Sequence, residues 1–321
     1  VGEEDRFEIL AVQKIDLIVL IAAAPHREQN LLLLGPRYEV PIHRLIEEHH
    51  LDELEVVERT DHAGGDTDGG AAVNFPFNGA PNGIWVTAPA QYEADFEIYH
   101  RAGLHIHTHT NGDEASLAAI DAIERVLTRA PRPDHRHTLQ HAQMVDAPMF
   151  RRMASLGLCV NLFANHLWYW GDQHYEMTMG PDRANRLDAC GSALAANVPL
   201  AIHSDAPVTP LGPLFTAWCA ANRITPKGRV LGEKERLSVM QALHAITLGA
   251  AWTLKMDHEI GSIETGKRAD FCVLRDHPLT LGAEKLKDAR VWGTVLGGKK
   301  LHQFLWPGGW PRQNSGLGMS R

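Results

Sequence analysis

The sequence predicts an α/β protein built on a parallel sheet, and three observations carry that prediction. Strand-like apolar runs alternate with single helical segments between about residue 88 and residue 254. A strand, one helix and a further strand can be joined only by a crossover, which makes neighbouring strands parallel. Three residues with ligand chemistry, His109, His141 and Asp205, recur at the ends of those runs at a regular interval.

The elements follow in chain order. Residues 93–102 form a short helical segment ending at Gly103, and residues 104–110 read as a strand. Residues 113–130 place Leu117, Ile120, Ile123, Val126 and Leu127 on one helical face, and Pro131 and Pro133 stop that helix. Residues 137–141 are the next strand. Asp146 reads as an N-cap ahead of Pro148, Met149, Phe150, Met153 and Leu156, with Gly157 where a C′ glycine belongs. Residues 158–163 are a strand, 182–196 a helix and 198–203 a strand, and a second pair of helices runs to about Leu254. Beyond that, residues 260–274, with Gly261, Gly266 and Asp270, read as short strands and tight turns. Residues 291–301 read as a hairpin around Gly297-Gly298.

Composition narrows the function. The chain has 321 residues, 44% apolar and 22% charged, with 31 basic against 39 acidic side chains and a formal net charge of −8. That balance fits a globular protein and argues against nucleic acid or an anionic membrane as the main partner. The length suits one large domain of about 250 residues with a small second module. The longest strongly apolar run, residues 17–24, lies between Asp16 and Pro25. It is far shorter than the ~20 residues a bilayer span needs, so it reads as a buried strand or helix segment. Cys159, Cys190, Cys219 and Cys272 form no C-x-x-C pair, as expected of reduced thiols in a cytoplasmic protein.

The candidate site rests on spacing. His141 follows His109 by 32 residues, and Asp205 follows His141 by 64, twice that interval. A strand-plus-helix unit occupies roughly 30 residues. The three residues therefore fall at equivalent points of successive strands, with one strand between them that carries no ligand. Each is followed by turn residues and a helix start, so the shared point is the strand's C-terminal end, the rim where (β/α)8 barrels build their active sites. Two imidazoles and a carboxylate converging there suit a divalent ion, zinc in particular. Taken singly, a strand histidine is more often packed or solvated than a ligand, and Asp205 alone reads as a cap. His105, His107 and His109 share one face, so the lower ones fill deeper layers.

His109-Thr-Asn-Gly-Asp113, Leu139-Gln-His141-Ala-Gln and Ile202-His-Ser-Asp205-Ala-Pro, in this order, resemble strands five, six and eight of the amidohydrolase superfamily. Gly261-Ser-Ile-Glu-Thr-Gly266-Lys-Arg-Ala-Asp270-Phe resembles the return of that family's chain into a small β-sandwich. The branch most similar is the one containing N-substituted formamide deformylases and exoenzyme-regulatory homologues, over residues 78–302. The resemblance implies the C-terminal part of a (β/α)8 TIM-type barrel over residues 78–256, a β-sandwich module over 257–303, a loose tail over 304–321 and a small-molecule substrate. It implies hydrolysis of a non-peptide C–N bond of an amide or formamide by a metal-activated water. His109, His141 and Asp205 would hold the metal, with Asp205 as the catalytic base and then acid. In the loop past the seventh strand, Asn165 and His166 either bond a substrate carbonyl or stay solvated. Trp168 and Trp170 either contact an apolar substituent or plug the core.

The pattern has a gap. The family's first strand bears a His-x-His metal pair, and no His-x-His lies before residue 100; His49-His50 is adjacent and helical in context. The family's bridging lysine has no counterpart either, since no lysine lies between Lys14 and Lys227. Residues 1–77 read as a divergent segment outside the resemblance. With Val at position 1, the expectation is a barrel incomplete in its N-terminal half, with that segment poorly packed. The competing expectation is accordingly a catalytically impaired, truncated homologue with a binding or regulatory role or none. A phosphate-handling barrel is disfavoured, because no glycine-rich phosphate loop and no Lys or Arg stands at a strand end. A homo-oligomer is compatible with the sequence.

Overall fold

A computed structural model describes residues 8–10, 85 and 87–301 of the chain. Two four-stranded sheets organise them. The first holds β2 (His107–Thr110), β3 (Thr138–His141), β4 (Cys159–Leu162) and β5 (Leu200–Ile202), hydrogen-bonded in that order and all parallel. These are the four strands expected from the alternation of apolar runs and helices, each trimmed at its ends. The register sets His109 beside Gln140 and Thr110 beside His141. The two candidate histidines therefore stand on neighbouring strands, one residue out of step.

The helices follow from local sequence. α1 (Pro89–Arg101) opens on a proline at its first position, where the missing N–H costs nothing. α2 (Asp113–Arg129) carries Asp113 and Glu114 at its positive end and Arg129 at its negative end. Its buried face is centred on Ala115, Ala119, Ile120, Ala122, Ile123 and Val126. Leu117, expected on that face, is exposed, because at 3.6 residues per turn it stands well round the helix from the centre of the buried set. α3 (Ala147–Leu156) is capped as its sequence requires: the Asp146 carboxylate accepts the Met149 N–H at 2.9 Å, and Gly157 takes φ 72°.

Residues 182–196 are not the single helix expected. They divide into α4 (Gly180–Ala184) and α5 (Cys190–Ala195). Between them Asp188 adopts φ 45°, and its N–H bonds the Gln143 carbonyl at 2.9 Å instead of continuing a helical ladder. The guanidinium of Arg223, fully buried, takes the Leu187 carbonyl and shares the Asp188 carbonyl with the Cys190 N–H. The chain then runs through α6 (Pro213–Asn222), α7 (Val239–Ala245) and α8 (Leu248–Thr253). α7 begins with a reciprocal capping box between Ser238 and Gln241. One large apolar core joins α1, α2, α3, α6 and α7 to the parallel sheet.

The second sheet is antiparallel, in the order β1 (Glu8–Leu10), β6 (Phe271–Leu274), β7 (Val291–Leu296) and β8 (Lys299–Leu301). The expected hairpin is present: Gly297 and Gly298, at φ 56° and 77°, close the two-residue turn between β7 and β8. β1 was not foreseen, since three residues are too few to show a period. Between β6 and β7 lies α9 (Pro278–Lys285), also unforeseen, docked on α6. There Trp218 Nε1 donates to the Glu284 carbonyl at 2.9 Å, and Asn222 Nδ2 to the Ala283 carbonyl at 2.8 Å. The expected strand at 17–24 and the expected tail at 304–321 lie outside the described residues. No helix among the described residues is long and apolar enough to cross a membrane.

Candidate metal centre

The parallel sheet places its histidines in two layers. At the N-terminal end of the strands, His100, His105, His135 and His137 bond one another and the backbone. His137 Nδ1 accepts the Ile106 N–H at 3.1 Å, and its Nε2 lies 2.9 Å from His100 Nδ1 and 3.1 Å from Arg132 Nη2. His100 Nε2 then donates to the Ala130 carbonyl at 2.7 Å. His105 Nε2 donates to the Arg136 carbonyl at 2.6 Å and His135 Nε2 to that of Leu156 at 2.8 Å. These rings are structural. His107, one layer higher, belongs to a polar ladder in which Gln140 Nε2 donates to His107 Nδ1 at 2.5 Å and Asn161 Nδ2 donates to Gln140 Oε1 at 2.8 Å.

The upper layer is the site. His109 and His141 meet edge to face with ring centroids 4.2 Å apart. His141 also lies 4.9 Å from His203 and 6.1 Å from His166. His141, at the last position of β3, has φ 59°, and Asp205, just past β5, has φ 52°. Left-handed backbone at non-glycine residues is strained, and strain of this kind gathers where geometry serves a site. Burial drives the His141 pKa well below its ordinary value, and the neighbouring His109, His203 and His166 rings push it further the same way. His203 is held down to about 3 by burial and by His166 and His109. Both rings are therefore neutral at pH 7, the form that ligates metal. The Nδ1 of His141 is buried with no hydrogen-bond partner.

Donor type and protonation thus fit a divalent ion. The full set does not come together: among the described residues, no group of three or more His, Cys, Asp or Glu side chains stands where it could hold one. The structure pairs His109 with His141 and sets Asp205 at the end of the next strand but one, without closing a three-donor cage. His203 is the residue that sequence reasoning missed. Its position two before Asp205 was the available signal, since alternate residues of an extended segment share a face.

The expected substrate contacts separate. Asn165 Nδ2 donates to Thr209 Oγ1 at 2.8 Å, which ties the loop after β4 to the loop after β5. His166 is buried, with Nδ1 3.4 Å from Asp188 Oδ1. Trp170 lies beside the histidine layer, 5.6 Å from His166 and 5.9 Å from Phe163. Trp168 turns the other way, against Trp218 at 5.2 Å and Phe215 at 6.1 Å. Of the two expected roles for Trp168, the core plug describes its surroundings.

Comparison with known proteins extends this picture. The profile of the amidohydrolase family matches residues 31–302. The match begins well inside the segment 1–77 that sequence reasoning placed outside the resemblance, which corrects that boundary. The chain is 31% identical over 204 residues to Protein LONG AFTER FAR-RED 3 of Arabidopsis thaliana, covering 63% of this chain and 35% of that protein. It is 30% identical over 201 residues to the N-substituted formamide deformylase of Arthrobacter pascens, covering 62% and 36%. These matches span about a third of the length of either relative. An uncharacterized metal-dependent hydrolase from Pyrococcus horikoshii OT3 shares the fold with a TM-score of 0.55 at 23% identity, over 64% of this chain and 40% of that one. With its parallel sheet, its histidine layer at the strand ends and a family profile running through most of its length, the chain belongs to the amidohydrolase family.

Proposed function

We propose that the protein is a metal-dependent hydrolase of non-peptide C–N bonds in amides or N-substituted formamides, built on a (β/α)8 barrel with a small β-sandwich module. The observation that carries the reading is the His109–His141 pair at the C-terminal strand ends, with the His141 Nδ1 buried and unsatisfied. The name of the Arthrobacter relative supplies the substrate class. His109 and His141 would hold the ion, for which the donor chemistry suits zinc, with Asp205 as the carboxylate of the set. When bound, the ion supplies an activated water and polarises the substrate carbonyl. Asp205 would act as base and then acid, accepting a proton at its carboxylate and passing it to the departing amine nitrogen, so that amide and water give a free amine and a carboxylic acid. Free buried cysteines fit a reducing cytoplasm.

The test is hydrolysis of a panel of N-substituted formamides and small amides with added Zn²⁺, beside the metal content of the purified chain. The expected result is metal-dependent turnover that Asp205→Asn abolishes. A second reading, a catalytically impaired homologue, draws on the missing three-donor group among the described residues. A chain that neither retains metal nor turns over any substrate would establish it in place of the hydrolase.

A further inference from the structure

Asp205 stands just beyond the strand that carries it. β5 ends at Ile202, and the next residue still belongs to the sheet, its N–H bonding the Leu162 carbonyl at 3.0 Å. Past His203 the chain leaves the sheet, and Asp205 adopts left-handed backbone at φ 52°. A non-glycine residue keeps such backbone where its surroundings over-determine it. The direction of its carboxylate follows from the two peptide planes that flank its Cα, because φ and ψ are the rotations between them.

Both planes are pinned. The peptide before Asp205 is held through its oxygen, since the Ser204 carbonyl accepts the Thr209 hydroxyl. The peptide after it is held in the same way, the Asp205 carbonyl accepting the Val208 N–H at 2.7 Å. Thr209 is fully buried, and its one hydroxyl proton goes to a carbonyl, which can only accept. Towards Asn165 the same oxygen must therefore accept, and Asn165 Nδ2 donates to it at 2.8 Å. Asn165, also fully buried, is anchored in turn, its own carbonyl accepting the Tyr169 N–H at 3.0 Å. The amide expected to contact substrate thus braces the neighbouring loop.

We propose that Thr209 is a positioning residue: braced by Asn165, it pins the peptide that precedes Asp205 and so fixes the direction of the Asp205 carboxylate. The inference rests on the hydrolase reading for what that carboxylate does, and deepens it by naming what holds the group in place. Valine at position 209 keeps the shape of the side chain and removes the hydroxyl, so the bonds to Ser204 and from Asn165 are lost together. Serine keeps both.

Backbone hydrogen exchange, read by NMR in the full chain, tests the clamp itself. In Thr209→Val the Val208 amide is expected to exchange about tenfold faster, the worth of one hydrogen bond. The His203 amide, held by β4, should keep its rate, and Thr209→Ser should restore the slow exchange of Val208. An unchanged Val208 rate, an equal acceleration at His203, or a serine variant as loose as the valine one overturns the proposal. Binding and turnover test the consequence. Zn²⁺ affinity by chelator competition, and kcat on N-alkylformamides, are expected to fall about 10- to 100-fold in Thr209→Val with KM little changed, and to recover in Thr209→Ser. A loosened turn that leaves both at the wild-type level overturns the positioning role. Should the valine variant not fold, Asn165→Ala removes the brace alone and must move the same readings in the same direction, or the proposal falls. A wild type with neither bound metal nor turnover would sink the hydrolase reading, while the exchange rates would still decide whether Thr209 holds the Asp205 turn.

Discussion

A single methyl group added at Gly249 tests how tightly the last parallel strand is held. Gly249 lies in α8, and a Cβ built there would stand 2.2 Å from the carbonyl oxygen of Leu200, the first residue of β5. A carbon and a carbonyl oxygen need a little over 3 Å, so strand or helix must move by about 1 Å. Two effects oppose each other in Gly249→Ala. Helix propensity favours alanine by about 1 kcal/mol. Overpacking a fixed backbone costs about 1–3 kcal/mol; β5 is anchored in the main core through Leu200 and Ile202, and α8 is buried at Ala250 and Ala251. At 2.2 Å the clash belongs at the costly end of that range, so it wins, with a net loss of up to about 2 kcal/mol. Gly293 in β7 is the control, because a Cβ there meets nothing within 4 Å. Gly293→Ala should gain about 0.5–1 kcal/mol through strand entropy alone. Urea melts of the two variants against the wild type read both numbers. Equal or greater stability in Gly249→Ala would refute the packing of α8 on β5 and with it the placement of His203 and Asp205.

Acid should destabilise the fold early. Burial holds His105 down to about 4 and His174 to about 3, with His137 lower still, whereas an unfolded chain protonates its histidines near 6.5. The unfolded state therefore binds more protons, and stability falls as pH drops from about 6.5 towards 4, levelling as the folded rings titrate. Thermal melts at pH 7.5, 6.0 and 5.0 check this, and a constant midpoint would contradict it. The four thiols are all buried, with Cys159 and Cys190 pushed up to about 12, so a disulfide reagent at pH 8 should label none in the native chain and all four in denaturant. Rapid native labelling of any one would contradict its burial.

Much of the fold was legible because it is local. Asp146 and Gly157 bracket α3 through caps that the neighbouring residues themselves satisfy. The glycine pair at 297–298 turns its hairpin without help from elsewhere. The four parallel strands were legible through what separates them: one helix per interval leaves no other connection. What the sequence hid is what distant parts of the chain decide. α9 contains Gly282 at φ 74°, breaking the helical pattern, and is completed by bonds from α6 more than sixty residues earlier in the chain. The break at Asp188 could not be read either, because the partners that make it favourable, Gln143 and Arg223, lie 45 and 35 residues away.

The same division runs through the site. His109 and His141 could be found because a parallel sheet converts equal spacing in sequence into adjacency in space, and the two rings do meet. Asp205 was placed at its strand end by the same logic, but a strand end is a height on the sheet, not a direction, and the spacing says nothing about where a carboxylate turns. Burial is the property that distinguishes the remaining members, and it is not written locally. Arg223 follows Asn222 and precedes Ile224 in a segment that reads as an ordinary helix end, where an arginine is expected to face water. Its guanidinium is instead enclosed because three backbone carbonyls, from Leu187, Asp188 and Leu231, converge on it and replace the water it loses. That enclosure brings a positive charge against Asp188, Asp188 against His166, and His166 into the layer containing His141. A chain of contacts of this kind leaves no period or motif, and only the folded positions of its members bring them side by side.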